Sequence, residues 1–469
     1  MNTFFQSLRR IIHPALLLAL AFVVASSAWA AEPLPPKDRT VILISLDGFP
    51  AWLWNDPTLP IPNLRRLAGE GAQAEAMTVS NPSVTWINHT TLVTGVNPSK
   101  HGVLFNGRLV RQGPDQPPQI EQWADKADLV RVPTLYDLAF NAGLKTAQVD
   151  WVAILNSGTI TDEFLEVPRV NGRIERELIG AGKLTAADLA VFNKGRQPVW
   201  RDQAWTDAAV HILRTRKPNL LLVHLLNLDS TNHTYGPGTS ASHTAYAYAD
   251  RCVADLLATI NEAGFRDKAT VVITTDHGFK KVDKHIFPNV ALRKAGLVTV
   301  EAGKVARCDA YIMPQGGLAF AYVTDPSRRA ELLPRLRAVC EKIEGVDRVL
   351  DGSRGPELGM PTPDQNQGMG DLILYAKAGY AFQAGAIAEL ETAEAKGYLG
   401  SHGYPSTDPE LDGIFLAWGY GIRPGVRIPR VANLDVAPTL AELLGVTLPP
   451  TDGRVLTEIL EPNLRPARR

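Results

Sequence analysis

Residues 41–48 read Val-Ile-Leu-Ile-Ser-Leu-Asp-Gly, an apolar run rich in β-branched side chains that ends at an aspartate and a glycine. A continuous apolar run of this length predicts a strand that is buried on both faces. Residues 220–226 and 270–275 share the pattern, and amphipathic helical patterns occur at 63–69 and 246–263. Buried strands that alternate with helices indicate an α/β fold, with a mostly parallel central sheet and helices on both faces.

The region between residues 286 and 399 departs from this pattern. It combines a short strand at 318–323, a charged helix at 328–343, and loops rich in glycine and proline. We interpret it as an inserted, smaller α+β subdomain that roofs the site. The main domain is then predicted over residues 31–285 and 400–460.

Each of the three predicted strands is followed within a few residues by a carboxylate: Asp47, Asp229 and Asp276. Open α/β sheets place their ligands at this end of the strands. His233 follows Asp229 by four residues, which puts both side chains on one face of a helical turn, and His277 and His402 are further candidate ligands. A mixed set of aspartate and histidine favours zinc over magnesium. His224, inside an apolar strand, is expected to be a core histidine with its hydrogen bonds satisfied.

Residues 81–95, Asn-Pro-Ser-Val-Thr-Trp-Ile-Asn-His-Thr-Thr-Leu-Val-Thr-Gly, predict a loop that enters a helix near Thr85. The first turn of a helix offers free backbone N–H groups and the positive end of the helix dipole, which suit a phosphate group. Thr85 is a candidate nucleophile there, because a zinc ion on its oxygen would favour the deprotonated form at neutral pH. The alternative is that Thr85 only caps the helix, a common role for threonine.

Short motifs run along the chain from about residue 40 to 450: Leu46-Asp47-Gly48, Pro62-Asn63-Leu64, Thr85, Asn88-His89, Thr94-Gly95, Pro98, His101-Gly102, Asn106, residues 229–236, Asp276-His277-Gly278, His402-Gly403 and Ala437-Pro438-Thr439. In this order they resemble the alkaline phosphatase superfamily, and within it they are most similar to the nucleotide pyrophosphatase/phosphodiesterase family. The resemblance implies an alkaline-phosphatase-like fold for nearly the whole chain.

The resemblance also implies two Zn²⁺ ions and the residues of the site. One ion would be held by four residues: Asp47, Thr85, Asp276 and His277. The other would be held by three residues: Asp229, His233 and His402. Thr85 would be the nucleophile. Asn106 would hydrogen-bond a non-bridging phosphoryl oxygen, with the backbone N–H of Thr85 assisting. Two metal ions about 4 Å apart can stabilise both the attacking and the leaving oxygen of an in-line displacement.

The implied activity is hydrolysis of phosphodiester or phosphoanhydride bonds in a small-molecule diester or nucleotide, through a phosphothreonine at Thr85. A phosphomonoesterase or phosphonate hydrolase of the same superfamily stays an alternative, because Arg108 could hold a second negative charge on the substrate. A sulfatase is disfavoured, since residues 85–89 lack the cysteine or serine motif that such enzymes modify. A non-catalytic periplasmic protein that binds metal or phosphate compounds is a further alternative, which the complete set of site residues disfavours.

Substrate preference is expected to depend on the inserted subdomain and on two segments, residues 49–56 and 150–158. Trp52, Trp54 and Trp151 could stack on a nucleobase or hold a lipid chain. The alternative for each tryptophan is ordinary packing.

Residues 1–30 predict a secretory signal peptide. Arg9 and Arg10 precede an apolar run at 15–25, and Ala28 and Ala30 form the small-x-small pattern of a cleavage site. The run is short for a membrane span, so we expect a periplasmic or secreted protein with no membrane span after cleavage. An uncleaved anchor is the alternative.

The whole chain of 469 residues is nearly neutral, with 48 Lys and Arg against 49 Asp and Glu, and 45% of its residues are hydrophobic. These values exclude a disordered chain and nucleic-acid binding by bulk charge. Only three cysteines occur, Cys252, Cys308 and Cys340. We expect them to be small buried side chains, with one bridge between Cys308 and Cys340 as an option that export permits.

Overall fold

The structure, a computed structural model, describes residues 32–195 and 197–464. The predicted signal peptide, residues 1–30, lies outside these ranges and stays a prediction. The strands of the described ranges are numbered in chain order: β1 Thr40–Leu46, β2 Ala72–Thr78, β3 Arg108–Val110, β4 Gln119–Glu121, β5 Thr146–Val149, β6 Asp162–Phe164, β7 Leu220–Leu225, β8 Ala269–Thr274, β9 Lys280–Ile286, β10 Val298–Glu301, β11 Lys304–Cys308, β12 Ala310–Gln315, β13 Leu318–Val323, β14 Val346–Asp351, β15 Leu372–Ala376, β16 Gly379–Phe382, β17 Thr392–Glu394, β18 Gly400–Ser401, β19 Gly413–Gly419 and β20 Val426–Ala432.

The helices connect these strands and cover the sheet. The α-helices are Ala51–Trp54, Pro62–Glu70, Thr85–Thr94, Pro98–His101, Lys126–Leu129, Leu135–Asn141, Arg173–Gly180, Ala186–Ala190, Phe192–Gly195, Pro198–Arg216, Asn227–Tyr235, Ser240–Glu262, Pro288–Lys294, Arg329–Cys340 and Val436–Leu444. The 3₁₀ helices are Pro36–Asp38, Pro326–Arg328, Gly352–Leu358, Pro409–Leu411, Asn433–Asp435 and Pro462–Leu464. Across the described ranges, none of the helices combines the length and the apolar character that a membrane crossing needs.

The three strands predicted from apolar runs lie side by side at the centre of an eight-stranded sheet. Its order is β20-β2-β19-β8-β1-β7-β5-β6. β1 pairs in parallel with both β7 and β8, and the pairs β2–β20, β5–β6 and β5–β7 are also parallel. Only β19 runs against its neighbours in this sheet. The predicted mostly parallel sheet is therefore confirmed.

Helices cover both faces of the sheet. Successive side chains of a strand point to opposite faces, so neighbouring residues of one strand pack into different cores. Ile42 of β1 lies in one hydrophobic core, together with the helix Ser240–Glu262. The next residue, Leu43, lies in a second core with the helix Val436–Leu444. Every residue of β1 is buried, which explains why its sequence is continuously apolar rather than alternating.

A smaller α+β unit lies within the predicted insert. Its antiparallel sheet has the order β12-β13-β15-β14, and the helix Arg329–Cys340 contributes Leu332 and Leu336 to a core of its own. β9 crosses the predicted boundary at residue 285 and pairs with β16, β17 and β18. The division of the chain into residues 31–285 with 400–460 and an insert at 286–399 stays a prediction.

The cysteines are buried, as expected, but the optional bridge is absent. Cys252, Cys308 and Cys340 are all free. Burial raises the pKa of each thiol to about 12. The three side chains therefore behave as small apolar groups rather than as reactive thiols.

Candidate metal and catalytic centre

The centre of the site is built at the carboxyl ends of β7, β1 and β8. Asp47 directly follows β1, Asp276 lies two residues after β8, and Asp229 lies in the first turn of the helix Asn227–Tyr235 that follows β7. Because β1 is the middle strand of these three and all run in parallel, the three carboxylates converge at one edge of the sheet.

Two glycines allow the chain to turn at these strand ends. Gly48 has a φ of +70°, in the left-handed region that a side chain disfavours. A Cβ atom at Gly278 would lie 2.2 Å from the carbonyl oxygen of Glu410, so only glycine fits there. These positions place Asp47 on one side of the site and Asp276 with His277 on the other.

The first group of side chains converges on Nε2 of His277. This atom lies 3.2 Å from Oδ2 of Asp276, 3.4 Å from Oδ1 of Asp47 and 3.4 Å from Oγ1 of Thr85. Asp47, Asp276 and His277 are fully buried, and Thr85 is 8% exposed. The four residues expected to hold one metal ion are thus brought together.

The second group converges on Oδ1 of Asp229. Nε2 of His233 lies 3.2 Å from it, and Nε2 of His402 lies 3.7 Å from it. The two groups adjoin, because ligand atoms of Asp47, Asp229 and His277 also lie within 4.8 Å of one another. The rings of His277 and His402 stack with their centroids 3.7 Å apart.

The three histidines are oriented by the backbone. Nδ1 of each ring donates to a carbonyl oxygen: His233 to Gly400 at 2.9 Å, His277 to Gly278 at 3.1 Å and His402 to Ser83 at 2.9 Å. This tautomer follows from the hydrogen-bond partners. The neutral ring then presents the lone pair of Nε2 to the carboxylates, as a metal-ligating histidine does.

In this centre, the lone pairs of the histidine Nε2 atoms therefore face the lone pairs of the carboxylate oxygens. Oδ1 of Asp47, Oδ1 of Asp229 and Oδ2 of Asp276 are buried and accept no hydrogen bond from the described residues. Unsatisfied buried acceptors of this kind are costly, and a bound cation satisfies them. The donor set, imidazole nitrogens with carboxylate oxygens, fits Zn²⁺.

The protonation states that burial favours suit a metal site in part. Burial lowers the pKa of His277 to about 4 and that of His402 well below its ordinary value, so both rings are neutral at neutral pH. Burial also lowers the pKa of His233, but Asp229 outweighs this effect and raises it. Burial, with Asp276 and Asp229 next in size, raises the pKa of Asp47. A divalent cation would offset this crowding of carboxylates.

Thr85 does not cap its helix. The N-cap of Thr85–Thr94 is Val84, and no side chain caps the helix end. The alternative that Thr85 is merely a capping residue is therefore wrong. Its hydroxyl instead faces His277 at the first turn, where free backbone N–H groups are available.

Asn106 lies beside this helix end. Its Oδ1 accepts a hydrogen bond of 2.9 Å from the backbone N–H of Trp86, the residue after Thr85, and the residue is exposed. Because the oxygen is engaged, the amide N–H groups are the free side of this residue. Asn106 therefore offers neutral donors at the end of the helix that begins with Thr85.

A sequence model of the family "Type I phosphodiesterase / nucleotide pyrophosphatase" matches residues 41–405. The chain belongs to this family. The family is part of the alkaline phosphatase superfamily, as the motifs indicated. The matched range contains every residue of the centre described above.

Similar proteins extend over almost the whole chain of this phosphodiesterase-family protein. Ectonucleotide pyrophosphatase/phosphodiesterase family member 7 of Rattus norvegicus is 24% identical over 467 residues, covering 97% of this chain and 94% of the relative. The human family member 7 is 25% identical, covering 95% and 88%. A venom phosphodiesterase of Macrovipera lebetinus is 21% identical and covers 92% of this chain and 46% of the relative.

Solved structures share the fold. Murine ectonucleotide pyrophosphatase/phosphodiesterase 5 matches with a TM-score of 0.68 at 16% identity, covering 90% of this chain and 100% of the other. The human protein of the same name also gives a TM-score of 0.68, at 17% identity. The alkaline-phosphatase-like α/β fold is therefore shown.

Sequence reasoning missed the residues that surround the centre. His224 is buried and hydrogen-bonded as expected, but its partner is Asp47, with 2.9 Å between Nε2 and Oδ2. Nδ1 of His89 lies 2.9 Å from the carbonyl oxygen of Thr85 and 3.7 Å from Oδ2 of Asp276. A signal existed, because His224 is the one strongly polar residue of β7 and stands one residue before its end.

An apolar pocket of about 210 Å³ includes in its wall Trp86, the residue that follows Thr85 in the chain. Its walls include Trp86, Trp123, Trp151 and Glu166. Burial raises the pKa of Glu166 to about 7, with Asp150 adding to the effect. Of the tryptophans considered from sequence, Trp151 thus lines a pocket.

Trp52 and Trp54 lie outside this pocket. Trp54 is 8% exposed and packs in the hydrophobic core with Phe49. Trp52 is 39% exposed, and its Nε1 donates to the carbonyl oxygen of Phe279.

Proposed function

We propose that this protein is a secreted di-zinc phosphodiesterase and nucleotide pyrophosphatase that acts through a covalent intermediate on Thr85. One observation carries the proposal: the Thr85 hydroxyl lies at a helix N-terminus, 3.4 Å from His277 Nε2, beside two adjoining groups of metal-ligand side chains. The membership in the family supports the activity. A murine structure described as inactive, with a threonine replaced by alanine and AMP bound, supports the role of a threonine.

The two zinc ions are assigned to the two groups of residues. The first would be held by Asp47, Thr85, Asp276 and His277. The second would be held by Asp229, His233 and His402. Zinc in these positions supplies Lewis-acid stabilisation for the negative charge that develops on the oxygens around phosphorus.

The chain's own residues account for the covalent steps. Thr85 Oγ loses its hydroxyl proton to solvent and attacks phosphorus, the Oγ–P bond forms, and the bond from phosphorus to the leaving oxygen breaks. The leaving group departs as an alcohol or a phosphate, with the proton that the solvent supplies. Water then attacks the same phosphorus, and the Oγ–P bond breaks to restore the threonine. The Asn106 amide and the backbone N–H of Thr85 hold a non-bridging oxygen through both steps.

The charges around the centre favour a diester over a monoester. Arg108 is the residue that could hold the second negative charge of a monoester. It forms an ion pair with Glu121 at 2.6 Å and lies 3.8 Å from Asp128. Its charge is therefore compensated by two acids. Asn106 supplies a neutral donor, which suits the single negative charge of a diester.

We assign the organic group of the substrate to the pocket lined by Trp86, Trp123 and Trp151. Indole faces bind flat aromatic groups and cations. Glu166 would favour a cationic group once its carboxylate is ionised. The segment 150–158, expected to influence specificity, contributes residues 151–155 to the walls.

Export of the protein is part of the proposal. The signal peptide predicted over residues 1–30 would direct the chain to the periplasm or the medium. The names of the relatives, "ectonucleotide" and "venom" enzymes, support an extracytoplasmic location.

The test compares wild-type protein with Thr85→Ala and with a matched control, Thr94→Ala. Thr94 is buried in the same helix, and its hydroxyl bonds to the backbone groups of Thr90 and Val96. Rates are measured on bis-p-nitrophenyl phosphate and p-nitrophenyl phosphate, with zinc content determined by mass spectrometry. We expect two zinc ions, faster turnover of the diester, loss of activity in Thr85→Ala, and activity near wild type in Thr94→Ala.

Near-normal turnover by Thr85→Ala would contradict the assignment of Thr85 as the nucleophile. Activity that survives complete removal of zinc by a chelator would contradict the proposed role of the metal centre in catalysis. Preference for the monoester would favour the phosphomonoesterase, and tight binding of phosphate compounds without turnover would favour the binding protein.

A further inference from the structure

A buried row of three ionisable side chains lies behind the proposed metal centre. Nε2 of His224 lies 2.9 Å from Oδ2 of Asp47, and Nδ1 of the same ring lies 3.0 Å from Oδ2 of Asp150. Asp47 and Asp150 are fully buried, and His224 is 2% exposed. The row connects β1, β7 and the loop after β5, which are three separate parts of the chain.

Both ring nitrogens of His224 face carboxylate oxygens. At Nε2 the ring donates a hydrogen bond to the Asp47 carboxylate, and at Nδ1 it donates to the backbone carbonyl of Asp150, whose carboxylate lies beside it as an ion-pair partner. Nδ1 lies 3.1 Å from this backbone carbonyl oxygen of Asp150. Contacts at both ring nitrogens therefore fix the orientation of the ring, which bridges Asp47 and Asp150 instead of only packing in the core.

Asp150 is held in a conformation that an isolated chain rarely adopts. Its φ is +58°, although it is not a glycine. Such residues cost free energy and persist where the surrounding structure requires them. Here the conformation directs both the carbonyl and the carboxylate of Asp150 to one ring, that of His224.

Because of this row, the two carboxylate oxygens of Asp47 have different neighbours. Oδ2 accepts from His224, whereas Oδ1 accepts no hydrogen bond from the described residues and lies 3.4 Å from His277 Nε2. A carboxylate that is held by one oxygen presents the other in a fixed direction. We propose that His224 and Asp150 are positioning residues that hold Asp47 with Oδ1 directed into the metal centre.

This inference rests on the proposed zinc centre, and it concerns the first zinc ion only. Loss of such an outer hydrogen bond typically lowers metal affinity by about 10- to 100-fold. The second group, Asp229, His233 and His402, has its own backbone supports at Gly400 and Ser83. Substitution of His224 should therefore weaken one zinc ion and spare the other.

Two substitutions separate the two ends of the ring. His224→Gln keeps an N–H donor near the position of Nε2, on the Asp47 side. His224→Asn keeps one near the position of Nδ1, on the Asp150 side. His224→Leu removes both donors, whereas Asp150→Asn keeps the backbone carbonyl that accepts from Nδ1 and removes the carboxylate charge beside the ring. The matched control is His101→Leu, since His101 is equally buried but bonds to Thr91 and Val103.

The measurement is competition of the purified, metal-free full chain against a chromophoric zinc chelator, which resolves the tighter and the weaker zinc ion. Thermal unfolding of the metal-free variants checks that they fold. We expect His224→Leu and His224→Asn to bind one of two zinc ions about 10- to 100-fold more weakly, and His224→Gln to recover most of that loss. Asp150→Asn should bind one zinc ion more weakly by less than this, and His101→Leu should bind both as wild type does.

Two results would overturn the inference: equal zinc binding by His224→Leu and wild type, or equal losses in His224→Gln and His224→Asn. A wild-type protein that binds no zinc would instead overturn the proposed centre itself. Substitution of the metal by Co²⁺ gives a second readout, because the absorption of the first site should change in His224→Leu and not in His101→Leu.

Discussion

Replacement of Asn106 tests how this chain stabilises charge on a phosphoryl oxygen. Its Oδ1 accepts a hydrogen bond of 2.9 Å from the Trp86 N–H, so the amide hydrogens of this exposed side chain remain as donors at the end of the helix that begins with Thr85. Asn106→Ala removes the donor altogether. Asn106→Asp keeps an acceptor for Trp86 and exchanges the donor for a negative charge. The two variants therefore separate loss of a hydrogen bond from addition of a repulsive charge.

The expected losses follow from the chemistry of these groups. One preorganised donor to a developing oxyanion contributes about 3 to 4 kcal/mol, or about 10²- to 10³-fold in kcat. The loss in kcat for Asn106→Ala should lie at the lower end of this range, because the substitution frees the Trp86 N–H to replace part of the lost donor. Asn106→Asp adds repulsion of about 4 kcal/mol for charges about 4 Å apart at an effective dielectric constant of about 20, so its loss should be larger.

The assay is the steady-state hydrolysis of bis-p-nitrophenyl phosphate, with kcat and KM determined separately. The control is Asn261→Ala, an exposed asparagine at the end of the helix Ser240–Glu262 that bonds to Arg266. Asn261→Ala should keep wild-type kinetics. If Asn106→Ala lies within a few-fold of wild type in kcat, or if Asn106→Asp is the more active of the two, the assigned role of Asn106 is wrong.

Three further predictions concern the metal, the pocket and the fold. His402→Ala should lose one of the two proposed zinc ions and most activity, and a variant that keeps both by mass spectrometry would refute its role as a ligand. Glu166, whose pKa burial raises to about 7, should become ionised as pH rises through that value. KM for the cationic substrate p-nitrophenyl phosphorylcholine should then fall with rising pH in wild type and stay flat in Glu166→Gln; parallel profiles would refute the pocket assignment. Burial raises the pKa of Asp202 to about 7 from 3.8, so its folded form resists ionisation and stability falls as pH rises between these values, by up to about 4 kcal/mol. The metal-free Asp202→Asn variant should therefore gain Tm over wild type at about pH 8 and not at about pH 4, and an equal difference at both pH values would contradict this.

The fold and the convergence of the candidate metal ligands could be predicted because they depend on local sequence. β1, β7 and β8 are continuous apolar runs, and the position of Asp47, Asp229 and Asp276 after them follows from the geometry of a parallel sheet. The antiparallel direction of β19 in the eight-stranded sheet could not be predicted, since a short apolar run carries no signal of its direction.

The supporting groups could not be predicted because they depend on distances between remote parts of the chain. Asp150 and His224 are 74 residues apart, and only the pairing of β5 with β7 brings them together. Sequence left the role of Thr85 open between a cap and a nucleophile. The structure places Val84 at the cap, which excludes the capping role, and the role of Thr85 as nucleophile stays a proposal.

The stereochemical course at phosphorus tests the central claim most directly. Each in-line displacement inverts the configuration at phosphorus, so attack by Thr85 followed by attack by water gives net retention. The measurement uses a diester made chiral at phosphorus by isotopic or sulfur substitution, with the product configuration assigned by NMR. The account predicts retention, and inversion would show a single direct attack by water and contradict the intermediate on Thr85.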